Sequence, residues 1–257
     1  MKLKINLLAA SAMAATMLAA PVSADDHMSA PSWGKVETIA CQYNDGKSLV
    51  DLMDVVSKWN SWSNEQDLNN YFAWVLTPHY HSELNGGRTA FWFGASPSAE
   101  AMGQAKDDWV ANGGEVLSEF NEVWTCGSQS LSTSMIVRPQ PPTPSSTAVV
   151  DFTDCTFKDG KSVLDLFAVQ KSWFEYLDEN EVKATVAYHL PGAGEDPDNE
   201  YGVKISTWFP DMQEKGRFED IIANEGGWMR AFQTFNPIME CNSERVYNAT
   251  LARGPNR

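Results

Sequence analysis

Positive charge is scarce in this chain: 19 Lys and Arg stand against 34 Asp and Glu, for a formal net charge of −15. A field of that sign repels phosphate backbones and anionic lipid surfaces, which argues against nucleic-acid and membrane-surface partners. Beyond the N-terminus, no run approaches the roughly 20 apolar residues that cross a bilayer. Cysteine is limited to four residues, never spaced C-x-x-C, so the ordinary zinc frameworks are excluded. The G-x-S-x-G, Walker, G-x-G-x-x-G and H-E-x-x-H patterns are also missing, and with them every motif that would name a reaction. The carboxylates that do sit together, Asp107-Asp108 and Glu219-Asp220, are neighbours on predicted helices and point apart.

What is present begins with an export pattern. Lys2 and Lys4 precede an apolar Ala/Leu/Met run to about Ala20, and Val22-Ser23-Ala24 supplies a small-x-small cleavage site. Residues 1–24 therefore read as a signal peptide, and the mature chain is expected to be periplasmic or secreted, with no membrane span after cleavage. Asn248-Ala-Thr fits an N-glycosylation acceptor. The ten Trp are numerous, and bulky aromatics usually pack cores.

The chain then says one thing twice. Cys41-Gln-Tyr-Asn-Asp-Gly-Lys-Ser-Leu-Val-Asp-Leu returns as Cys155-Thr-Phe-Lys-Asp-Gly-Lys-Ser-Val-Leu-Asp-Leu. Trp92-Phe93 returns as Trp208-Phe209, Gly113-Gly114 as Gly226-Gly227, and Cys126 as Cys241. A whole-domain duplication follows: one copy over 34–138, a Pro-rich linker over 139–147, a second copy over 148–254. Each copy owns one Cys near its start and one near its end. Of the possible pairings, only Cys41 with Cys126 and Cys155 with Cys241 let each copy close on itself. Loops of that length contribute roughly 4–5 kcal/mol each by constraining the unfolded chain.

Within copy one, Val36 to Tyr43 is β-rich, and Asp45-Gly46 marks a turn. Ser48 with Asp51 forms a capping-box pattern, after which Leu49, Leu52, Val56 and Trp59 follow at helical spacing. Strands are predicted over Tyr71 to Thr77 and Thr89 to Gly94. A second helical segment opens at Ser96-Pro97-Ser98, breaks at Gly113-Gly114 and resumes to about Val123. A last strand runs from about Ser130 to Val137. Copy two repeats this order, with Ser162 and Asp165 as its cap. The order β-α-β-β-α-β is the ferredoxin-like motif, whose first and last strands lie side by side.

Strands apolar on both faces, such as Tyr71 to Leu76 and Phe91 to Phe93, need a second apolar surface opposite the helices. The expected fold class is therefore α+β: two tandem ferredoxin-like βαββαβ domains packed sheet-to-sheet as an internal pseudo-dimeric α/β barrel. The mature sequence resembles the dimeric α/β-barrel superfamily through this element order and duplication. That superfamily includes antibiotic-biosynthesis-type monooxygenases, haem-degrading enzymes, chlorite-dismutase-like haem proteins and stress-responsive barrel proteins. The resemblance implies small-molecule binding, with cofactor-free oxygenase or isomerase chemistry as among relatives. The rival expectation is a non-catalytic structural or protein-interaction module of the cell envelope.

Strand alternation then places candidate site residues. Aligning Trp92 with Trp208 predicts an inter-sheet pocket lined by Trp74, Trp92, Trp208 and His189, with Arg88 and Lys204 at its rim. Apolar walls with a few polar groups suit a small ligand, and two cations suit an anionic or aromatic one. His79, His81 and Glu83 alternate as a weak divalent-metal candidate. No motif calls for a cofactor. Haem enters through the resemblance alone, with His189 as its axial candidate.

Overall fold

The computed structural model describes residues 33–81, 88–140, 145–195 and 201–254. The expected signal peptide, Glu83 and the centre of the Pro-rich linker lie outside them. Strand β1 (Gly34–Tyr43) turns into helix α1 (Leu49–Glu65), whose start is set by its cap: the Ser48 N–H donates to Asp51 Oδ2 at 2.9 Å. The same bond, Ser162 N–H to Asp165 Oδ2 at 2.9 Å, opens α4 (Val163–Glu179). Strands β2 (Phe72–Tyr80) and β3 (Ala90–Ser96), helices α2 (Ala99–Asn112) and α3 (Gly114–Val123) and strand β4 (Trp124–Arg138) complete the first half. The second half runs β5 (Thr147–Phe157), α4, β6 (Thr185–Ala193), β7 (Val203–Phe209), α5 (Met212–Asn224), α6 (Gly227–Phe235), β8 (Met239–Cys241) and β9 (Arg245–Arg253).

Strand β1 lies between β3 and β4, and β3 pairs with β2; β5 lies between β7 and β9, and β7 pairs with β6. A four-stranded sheet leaves two open edges, and here each edge is satisfied by the other half. Strand β2 pairs with β9, and β4 with β6, all antiparallel. Eight of the nine strands among the described residues thereby close into one antiparallel barrel, with the short β8 paired outside the ring against β5. The halves are thus joined edge to edge by backbone hydrogen bonds as well as face to face by side chains.

The barrel interior is filled by Leu76, Phe93, Val150, Phe152 and Tyr247, with Trp74 and Trp208 packed against them. Helices cover the outside. Leu52, Val56 and Trp59 of α1, with Met102 of α2 and Phe120 of α3, pack on the outer face of the first half. Trp173 and Leu177 of α4 and Ile221 of α5 do so on the second.

Strand β4 begins earlier than its polar sequence suggests. Trp124, Thr125 and Cys126 pair with Tyr43, Gln42 and Cys41, and the Cys41–Cys126 disulfide (S–S 2.04 Å) fixes that register. Cys155–Cys241 (2.05 Å) ties β5 to β8 in the same way. Two disulfides fit a non-cytoplasmic compartment. Among the described residues, no helix is long and apolar enough to cross a membrane.

Two buried arginines join the halves reciprocally. Arg138, ending β4, donates to Asp178 (2.7 Å) in the last turn of α4 and to the Val182 carbonyl (2.8 Å) just beyond it. Arg253, ending β9, donates to Asn64 (3.0 Å) in the last turn of α1 and to the Leu68 carbonyl (3.0 Å) just beyond it. Each guanidinium thus satisfies a backbone acceptor in the turn that follows the first helix of the other half.

Candidate functional site between sheet and helices

A cavity of about 220 Å³ lies on the outer face of the first-half sheet, beneath α1, α2 and α3. Trp59, Trp62, Trp92, Trp109, Phe120 and Trp124 wall it. The Trp59 and Trp92 rings meet edge to face at 4.9 Å, Trp62 and Trp109 at 5.2 Å, while Phe120 stacks on Trp124 at 5.7 Å. Edge-to-face and offset-stacked arrangements of this kind are the favoured ones for aromatic pairs. Where α2 meets α3, a Cβ on Gly113 would lie 2.5 Å from the Trp109 ring, so glycine is needed for that indole to turn inward.

One polar network sits among these rings. Glu37 of β1 is 1 % exposed. One of its oxygens accepts from the Tyr71 hydroxyl; the other accepts from Lys106 Nζ and, at 2.8 Å, from Gln129 Nε2. The Trp92 indole N–H donates to the Tyr71 oxygen at 2.7 Å. Burial, then the neighbouring Glu37 charge, pushes the Tyr71 hydroxyl well above its usual range, so it stays protonated. Lys106 enters from α2 with its side chain 36 % exposed, and its ammonium lies 5.8 Å from the Tyr71 ring centre. Glu37, Lys106, Tyr71 and Gln129 all line the cavity.

The second half places related parts differently. Cys41 pairs with Ala90 and Glu37 with Gly94, while Cys155 pairs with Val203 and Asp151 with Thr207. By that register Glu37 matches Asp151, Gly94 matches Thr207, and Tyr71 matches Ala184. A Cβ on Gly94 would collide with the Tyr71 hydroxyl, so the small residue and the tyrosine depend on each other. In the second half Thr207 supplies the hydroxyl that bonds Asp151. Asp151 also faces Lys215 at 3.4 Å, and Lys215 in turn binds Glu219 (2.8 Å) and Glu244 (2.9 Å). Where Trp92 and Trp124 wall the first-half cavity, the second half has Ile205 and Met239.

The residues expected to line an inter-sheet pocket are divided by the structure. Trp74 and Trp208 meet inside the barrel with ring centres 5.5 Å apart. His189 lies there too, 3 % exposed, its ring 5.9 Å from that of Phe93. Trp92 faces the other way, into the helical layer. The difference has a simple cause: the Trp-Phe pairs are similar in sequence but not equivalent in register. Trp92 matches Ile205, and Trp208 matches Ala95; an odd slip along a strand reverses the face. Lys204 matches Phe91, not Arg88, and its ammonium pairs with Asp154 at 3.6 Å. The Arg88 guanidinium packs against Gly127.

His79 Nδ1 lies 3.0 Å from the Asn248 amide nitrogen, and His81 is exposed, while Glu83 is outside the described residues. Among the described residues no group of three or more His, Cys, Asp or Glu is arranged to hold a metal ion. Among the described residues, His189, the expected axial ligand, is not placed to hold haem. His189 Nε2 is engaged by Ser206 at 2.8 Å and its ring packs between Phe93 and Phe152. Burial, aided by the Lys204 charge, lowers its pKa to about 3. The cavity wall contributes no histidine or methionine, and its one sulfur, on Cys126, is in a disulfide.

The strand alternation that located the barrel interior did not reach Glu37, Tyr71 or Lys106. One signal was available: an acid stands in the same place of both first strands, Glu37 and Asp151, on a face otherwise given to apolar contact with helices.

No protein-family model matches this sequence, and no curated protein does. Solved structures do. A proposed monooxygenase from Fusobacterium nucleatum aligns at TM-score 0.53 and 8 % identity, over 88 % of this chain and 94 % of that one. A proposed monooxygenase from Lactobacillus acidophilus aligns at 0.51 and 9 %, over 86 % and 93 %. An anthrone oxidase-like protein aligns at 0.50 and 10 %, over 86 % and 91 %. Chlorite dismutases are also among the neighbours. At such identities the likeness establishes the fold, which is that of the dimeric α/β barrel.

Proposed function

We propose that this chain is an exported small-molecule-binding protein whose site is the sheet–helix cavity of its first half, with oxygenase- or isomerase-like proton chemistry at Glu37. The carrying observation is a buried carboxylate, hydrogen-bonded and ion-paired, at the polar end of a cavity otherwise walled by aromatic rings. The shape suits a small planar ligand: about 220 Å³ is below the roughly 300–1,000 Å³ of drug-sized sites. Glu37 is the one carboxylate among the described lining residues, so it is the group that accepts a proton from a bound acid. Tyr71, held protonated, fixes the carboxylate's position. Lys106 stands where negative charge would develop. A ligand so deprotonated is electron-rich and either takes the proton back at another atom or yields electrons to dioxygen.

The fold shared with proposed monooxygenases and an anthrone oxidase-like protein supports this reading. The two disulfides support periplasmic or secreted location, with residues 1–24 as the signal peptide. Matching element order, matching caps and reciprocal arginines support an origin by duplication of one ferredoxin-like unit. In this reading, the aromatic cavity described above belongs to the first half.

Titration with 1-naphthol while following Trp fluorescence tests the site. Saturable quenching is expected for the native protein. It should disappear in Ala105→Leu, which fills the cavity from α2. No response from the native protein, or an unchanged response from the filled variant, would end the proposal.

A further inference from the structure

Charge accounting at the cavity narrows its ligand. Glu37 and Lys106 form a neutral pair, and no other formal charge lines the described cavity. A carboxylate ligand would add an unpaired negative charge beside Glu37, and an ammonium ligand an unpaired positive charge beside Lys106. Both would be held in an aromatic, poorly solvated space, where an uncompensated ion is costly. A neutral acid avoids both penalties. If its O–H bond breaks and the proton goes to a Glu37 oxygen, the site holds neutral Glu37, a ligand oxyanion and Lys106⁺. The total charge is unchanged, and no electrons move.

The placement of the groups permits that exchange. Glu37 is fixed from below by Tyr71 and Gln129, both of which still bond it when it is protonated. Lys106 is the mobile partner. It hangs from a flexible stem, is partly solvated, and commits one of its three N–H donors to Glu37. It can pass from the carboxylate, as that charge is neutralised, to the oxyanion that replaces it.

We infer that the cavity selects weakly acidic aromatic alcohols, phenols or enols, and ionises them on binding, with Lys106 as the residue that sets this preference. This rests on the site proposed above and adds the ligand's chemical class and charge state.

The full-length protein and 4-nitrophenol test it, because the ionised phenol absorbs at longer wavelength than the neutral one. At a pH below the free phenol's midpoint, the bound fraction should be ionised about ten-fold or more above free ligand, as expected for an acid beside a cation. Lys106→Met should lose that enhancement and Lys106→Arg should keep part of it, while Glu37→Gln, which leaves the Lys106 charge unpaired, should keep or raise it. Lys106 is surface-anchored, so Lys106→Met keeps the test valid even if Glu37→Gln fails to fold. 4-Nitrobenzoate and 4-nitrobenzylammonium should bind at least about ten-fold more weakly than the phenol. Quenching of Trp fluorescence without ionisation, or tighter binding of either charged analogue, overturns this inference and leaves the cavity as a site. Failure of all three to bind overturns both.

Discussion

His189 and Asp151 are both buried, and burial moves their proton affinities in opposite senses. His189 is lowered from 6.5 to about 3, so below pH 6.5 the unfolded chain takes up a proton that the native barrel refuses. Its contribution to stability is lost as pH falls from about 6.5 toward 3. Asp151 is pushed from 3.8 up to about 7, first by burial and then by Glu244, against the pull of Lys215. Here the native state keeps a proton that the unfolded chain has released. That contribution is complete below about 3.8 and is lost as pH rises through 7. Between pH 4 and 6.5 the two slopes, each up to about 1.4 kcal/mol per pH unit, oppose one another. Urea unfolding across this range should therefore separate them. Asp151→Asn should make stability rise more steeply with pH than in the native protein, and His189→Gln should make it rise less or fall. Parallel profiles for all three proteins would show that neither group is linked to folding.

Among the elements, the ends of β4 and β9 carry more than their length suggests. The last residue of each is an arginine that bonds the carbonyl beyond the first helix of the opposite half, Leu68 in one case and Val182 in the other. Removing either guanidinium leaves a buried carbonyl unpaired, at roughly 1–3 kcal/mol. Arg253→Met and Arg138→Met should each lower unfolding stability by that amount. The two share no partner, so the double variant should be additive within about 0.5 kcal/mol. A double variant no worse than either single one would mean that one arginine alone holds the junction.

For the whole molecule, the consequence of edge-to-edge closure is that neither half is complete. Segment 34–138 alone would expose β2 and β4 as unpaired edges, together with the interior face bearing Trp74, Leu76 and Phe93. Produced separately, 34–138 and 148–254 should each be unfolded or self-associated, and mixing them should yield a one-to-one complex with native near-ultraviolet dichroism. Sedimentation of either half as a folded monomer would contradict the barrel as one cooperative unit.

Local chemistry explains what could be read from the chain alone. A capping box lies within one turn of helix, so Ser48 with Asp51 and Ser162 with Asp165 announce helix starts without help from the rest of the fold. The repeat carried the cysteine pairing further, because closing each copy on itself leaves a single choice. The direction of Trp92 and the meeting of Glu37, Tyr71, Lys106 and Gln129 could not be read in that way. They depend on strand register, where an odd displacement turns a side chain from barrel to helix, and on contacts between residues on β1, β2, α2 and β4. Pairing across the closed barrel sets that register, and helices packed on the outer face decide which strand positions enclose a cavity.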